Sequence, residues 1–188
     1  MGNDKVKEKE YSDAIAIKAE EYKKYIKNHI DNVKKAFEEY GEILAEALGC
    51  NYEILSKNIE VHDESKYSDE EFNGYRQYFY PTEFEVVSKP GETGRFGDQD
   101  TMNLAFKHHV TVNAHHPEFW IVISPSGELE PQRMTKIAIA EMLLDWKAME
   151  YNPGAKGFKW YYENKAFEDH MFHPDTKELI DMIAPKLF

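Results

Sequence analysis

Imidazole and carboxylate side chains hold divalent transition metals, and this chain distributes them unevenly. Four of its eight histidines fall in the run Lys107-His108-His109-Val110-Thr111-Val112-Asn113-Ala114-His115-His116-Pro117-Glu118. His62 and Asp63 are adjacent, with Lys66 just beyond them, while His29 and Asp145 each interrupt an apolar pattern. Such a set could coordinate a cation and, through it, activate a water for hydrolysis. Each piece also has a plain structural explanation. A buried histidine can be satisfied by a core neighbour, a buried aspartate by a Lys or Arg, and a histidine-rich run can be surface. A His-Asp dipeptide by itself occurs by chance.

The elements that must position these residues read as helices. From Ser12 to about Leu48, Tyr22, Tyr25, Ile26, Val33, Ala36, Phe37, Tyr40 and Leu44 recur at helical steps, and Gly49 is a natural stop. Projected at about 100° per residue, His29 falls near the middle of that apolar arc, where an imidazole needs a partner. A second helical stretch, Asn51 to Ser56, leads into His62-Asp63-Glu64-Ser65-Lys66. Neighbouring side chains on a helix point about 100° apart, so the pair can grip one ion only from the edge of an element. Ser68-Asp69-Glu70-Glu71 has the form of a capping box for a helix carrying Phe72, Tyr75, Tyr78 and Phe79.

Residues 81–100, with Pro81, Pro90, Gly91, Gly94 and Gly97, form a long loop in which Arg95 could close over an anion or simply be solvated. A helix resumes near Gln99 and runs through His108 and His109. Pro117 pushes His116 toward an extended backbone, so His115 or His116 belongs to a turn. Trp120–Ile123 and Glu128–Glu130, joined by Ser124-Pro125-Ser126-Gly127, suit a short hairpin.

Thr135 to about Tyr151 is the clearest late helix. It places Asp145 among Met134, Ala138, Met142, Met149 and Ile137, too deep in the helix to be an N-cap. Helices near Phe158–Lys165 and Thr176–Ile183 complete the chain. Trp160, Tyr161 and Tyr162 could stack on a nucleobase, although such runs are more often core.

Composition bounds the rest. With 188 residues, of which 41% are hydrophobic, the chain suits one domain, expected over 11–188 with residues 1–10 frayed. A net charge of −12 argues against double-stranded nucleic acid as partner but permits a small anion at a bound cation. One cysteine, Cys50, precludes an intramolecular disulfide. No apolar run approaches a membrane span and no apolar leader is evident, so no membrane partner and a cytoplasmic setting are expected.

The order His29, His62-Asp63, mid-chain histidines, Asp145 resembles the H…HD…H…H…D pattern of the HD-domain phosphohydrolases, and His62-Asp63-Glu64-Ser65-Lys66 resembles their HDxxK segment. The block from Ala105 to His116, with Glu141-Met142 and Asp145-Trp146, looks closer still to an uncharacterised family of short HD-like bacterial and phage proteins. The resemblance implies an all-α, compact HD-domain-like helical bundle with room for one short β-hairpin. It implies one or two divalent ions, with Mn, Fe, Co, Ni and Zn all admissible. Their ligands would be His29, His62, Asp63 and Asp145, joined by His109 and His115, with His108 and His116 as alternates.

The expected activity is hydrolysis of a nucleotide or other small phosphate ester. Asp63, Lys66 and Glu64 would carry catalysis, Lys66 and Arg95 would bind the anionic substrate, and Glu118 is a second candidate for proton handling. Two rival classes are an HD-type di-iron oxygenase and a non-catalytic protein that binds a metal or nucleotide. Iron content with oxygen-dependent turnover would mark the first. Tight binding without turnover would mark the second.

Overall fold

The computed structural model describes residues 2–86, 97–164 and 171–188. Seven α-helices account for most of them: α1 (Gly2–Leu48), α2 (Tyr52–Glu60), α3 (Phe72–Phe79), α4 (Gln99–Val112), α5 (Lys136–Ala148), α6 (Phe158–Glu163) and α7 (Pro174–Ile183). The one sheet among the described residues is the antiparallel hairpin β1 (Ile121–Ile123) and β2 (Leu129–Pro131), with Val122 opposite Glu130. Gly127 closes its turn at φ 86°, a conformation that favours glycine. The fold is therefore all-helical with a short hairpin, as the periodicities predict. None of the described helices is long and apolar enough to cross a membrane, because charge runs throughout the longest, α1.

Some boundaries differ from the sequence reading. The first helix begins at Gly2 rather than near Ser12, and α2 continues to Glu60. The chain groups into two compact units. One comprises residues 1–28 and 64–109, the other residues 29–63 and 110–188. Arg95 and the loop residues Pro90, Gly91 and Gly94 lie outside the described residues.

In the first unit the leading half of α1 buries Tyr22 and Ile26. The Tyr22 ring stands 5.2 Å from Phe72 and 5.7 Å from Tyr80. Gly74 lets α3 approach α4 closely, since a Cβ there would meet Thr101 O at 2.6 Å and Ala105 Cβ at 2.7 Å. From α3, Arg76 donates to both oxygens of Glu85 at 2.6 and 2.8 Å, and Thr82 N donates to the same carboxylate at 2.9 Å. That pair is buried and fully bidentate, the geometry in which an internal ion pair is best tolerated.

The second unit is built around α5. Thr135 caps it by accepting from Ala138 N, and Ile139, Ala140, Met142, Leu143, Leu144 and Ala148 are all buried. A helix whose apolar residues are buried on nearly every side lies inside its core. Val33, Ala36, Leu44 and Leu48 of α1, Leu55 and Ile59 of α2, Phe158 of α6, and Ile180 and Ile183 of α7 complete that core.

Candidate metal centre

His29 continues the buried stripe of Ile26, Val33 and Ala36 on α1 and is itself only 8% exposed. Its Nε2 stands 3.1 Å from Asp63 Oδ2 and 3.2 Å from Asp145 Oδ1. The two aspartates reach it from different elements, Asp145 from the last turn of α5 and Asp63 from the turn after α2.

How the adjacent pair converges is a backbone matter. α2 ends at Glu60, and Asp63 then takes φ 60°, the one positive φ at a described residue other than glycine. The left-handed conformation costs an L-residue roughly 1–2 kcal/mol, least for Asn and Asp. It breaks the helical divergence of neighbouring side chains. His62 Nε2 comes within 3.6 Å of Asp63 Oδ2 and 3.9 Å of Asp145 Oδ1.

A metal ion fits this set. Ligands around one ion at metal–ligand bonds of about 2.1 Å are separated by roughly 3.0–3.4 Å, close to the spacings seen. His62 is 2% exposed, and its Nε2 makes no hydrogen bond among the described residues. A buried ring nitrogen in that position, ringed by carboxylate oxygens just beyond bonding distance, is what a cation between them would satisfy.

Asp63 faces a second group with its other oxygen. His115 Nε2 lies 3.5 Å from Asp63 Oδ1, and ligand atoms of Asp63, His115 and His116 all lie within 4.8 Å of one another. These histidines follow the end of α4 at Val112, so the helical continuation from His109 to His116 does not form. His116 is extended, at φ −85° and ψ 133°, as the residue before Pro117 should be. Trp120 Nε1 donates to Ala114 O at 2.7 Å and fastens the turn that carries them. Glu118 lies in that turn, with Oε2 3.9 Å from His116 Nδ1.

Glu141, one turn before Asp145 on α5, supports the ligands. Its Oε1 stands 3.0 Å from His62 Nδ1 and 3.2 Å from His115 Nδ1, and its Oε2 accepts from Asn58 Nδ2 at 3.1 Å. Burial alone would raise the pKa of Glu141, but the His115 and His62 imidazoles pull it down to about 2. Burial would likewise lower His115, yet Asp63, Glu141 and Asp145 push it up to about 10. Against its own burial, Asp145 is held well below the usual carboxylate range by His29, His62 and His115. Glu141 and Asp145 therefore stay ionised and demand positive charge, which protons on the imidazoles or a metal can supply.

The remaining sequence candidates lie in the first unit. Glu64 is exposed and Lys66 half-buried, both in a 3-10 turn over Glu64–Tyr67. His108 and His109 on α4 each place Nδ1 2.8 Å from a different oxygen of the fully buried Glu71. His109 Nδ1 is also 3.3 Å from Ser65 Oγ. Burial would raise Glu71, but the two histidines hold it below the usual range. The capping box expected of Ser68 and Glu71 is absent, because Glu71 turns its carboxylate to these imidazoles and makes no cap bond at α3.

Tyr162 packs its ring against Phe158 and Phe188 and donates to Asp181, while Trp160 lies under Lys156 Nζ at 3.3 Å. The Tyr161 side chain lies outside the described residues.

Residues 18–186 match the model of a family of unknown function, DUF5662. The chain belongs to this family. Comparison with curated proteins and with solved structures gives no match. The match spans every candidate ligand of this DUF5662 chain, from His29 to Asp145.

Glu141 is the site residue that sequence reasoning missed as a functional group. Its signal was an acid one turn from Asp145 in an otherwise apolar helix, which is the same anomaly that singled out Asp145.

Proposed function

We propose that this protein is a metal-dependent hydrolase of small phosphate esters, with a nucleotide as the favoured substrate class. The observation that carries the reading is the convergence of His29 Nε2, His62 Nε2, Asp63 Oδ2 and Asp145 Oδ1 at ligand spacing, with His62 Nε2 buried and not hydrogen-bonded among the described residues. The resemblance to HD-domain phosphohydrolases supports the choice of reaction.

A divalent cation held by these residues supplies Lewis acidity toward a phosphoryl oxygen and a lowered pKa for water. His29 and His62 contribute neutral nitrogen ligands. Asp63 and Asp145 would offset the cation's charge, and Asp63 and His115 would be among the residues to hold a second ion. Lys66, in HDxxK order after Asp63, neutralises charge developing on the phosphoryl group, and Glu64 manages protons. Both roles come from the resemblance. The setting in which the enzyme works is the cytoplasm.

The test begins with protein purified without chelators, with bound metals counted by elemental mass spectrometry. Stoichiometric transition metal in wild type, lost in Asp63→Ala and Asp145→Ala, is the expected result. The same metal should then support phosphate release from a nucleotide panel. Folded wild-type protein that takes up no metal after reconstitution would overturn the proposal. Metal-loaded protein with oxygen-dependent turnover and no phosphate release would replace it by the oxygenase reading.

A further inference from the structure

We infer that Glu141 is a positioning residue that sets the tautomer and ring orientation of two ligand imidazoles at once, those of His62 and His115. The inference rests on the metal-centre reading above and assigns the part of the site that aims its nitrogens.

Glu141 is 6% exposed and projects from the apolar helix α5, so its carboxylate is buried for a reason other than packing. One oxygen, Oε1, faces both His62 Nδ1 at 3.0 Å and His115 Nδ1 at 3.2 Å. The rings come from separate stretches of chain, and their centroids are 4.3 Å apart at an interplanar angle of 35°. Asn58 Nδ2 occupies the other oxygen at 3.1 Å, which restrains the carboxylate from turning away from either ring.

An ionised carboxylate only accepts hydrogen bonds, so both Nδ1 atoms must donate. Each imidazole is thereby left to present Nε2 toward Asp63, 3.6 Å away for His62 and 3.5 Å for His115. The opposite tautomer would direct an N–H where an ion needs a lone pair. Because one oxygen serves rings that face the two oxygens of Asp63, a single side chain aligns both sides of the centre.

The full-length chain loaded with cobalt(II) tests this. Imidazoles bound through Nε2 give paramagnetically shifted Nδ1–H proton resonances, whose exchange with water reports their hydrogen bonds. Besides the signal of His29, wild type should show two such signals, from His62 and His115, protected from exchange. In Glu141→Leu both should lose protection, with cobalt(II) affinity lower by about 10–100-fold in chelator competition.

Glu141→Gln keeps the size and one acceptor oxygen, so it should fold and lie between the two. It also carries the test if the leucine variant does not fold. A folded Glu141→Gln protein with wild-type affinity and both signals still protected would overturn the inference and leave the metal centre standing. Wild type that takes up no cobalt(II) would overturn both.

Discussion

Glu141 and Asp145 lie one turn apart on α5, and that spacing lets one helix supply both a candidate ligand and the support for two others. The i and i+4 positions share a helix face, so the two carboxylates look into the same polar pocket from an otherwise apolar helix. Their division of labour follows from what each meets. Asp145 faces His29 Nε2, whereas Glu141 faces the Nδ1 atoms of His62 and His115.

The two oxygens of Asp63 predict two separable ions. His115→Ala should lower the metal content of the loaded protein by about one ion per chain and leave the ion at His29 and His62 in place. Elemental analysis against protein concentration gives the count. An unchanged metal content in His115→Ala would end the two-ion arrangement.

The left-handed backbone at Asp63 predicts a trade of stability against function. In metal-free protein Asp63→Gly and Asp63→Ala delete the same carboxylate, but only alanine retains the strain. Asp63→Gly should be more stable than Asp63→Ala by about 1–2 kcal/mol in urea unfolding, and neither should bind metal tightly. Equal stabilities would mean that the strain at this turn is not stored in the native state.

Removing Arg76 strands Glu85 as a buried, unpaired charge, so Arg76→Ala should destabilise the protein by about 3–5 kcal/mol. The pair also predicts an acid limb. Burial would raise the Glu85 pKa, but Arg76 and Thr82 hold it below its ordinary value of 4.5. A depressed folded-state pKa contributes stability that is fully present above 4.5 and is lost as pH falls through the lower folded value. Glu85→Gln should flatten that part of the stability–pH curve. An acid limb identical to wild type in this variant would remove Glu85 as a contributor.

Lys66→Ala separates the chemistry from the metal. If Lys66 meets charge that grows in the transition state, kcat should fall by about 100-fold or more with metal content unchanged. Loss of metal together with activity would instead make Lys66 a support of the fold around the centre.

The sequence by itself determined that the chain is helical, roughly where each helix runs, and that His29 and Asp145 are out of place. Those facts are local. They follow from the period of apolar residues and from the cost of burying an imidazole or a carboxylate on an apolar face.

Tertiary structure decided the rest, because it depends on groups distant in the chain. The convergence of His62 and Asp63 needs a positive φ that no residue pattern announces. Glu71 reads as a capping residue until two imidazoles compete for it. The backbone that carries His115 and His116 is set by the helix end at Val112 and the turn at Pro117. Glu141 carried the same signal as Asp145, a carboxylate among buried apolar residues of α5, but that signal does not name its partners. Only packing against His62, His115 and Asn58 shows what its carboxylate holds.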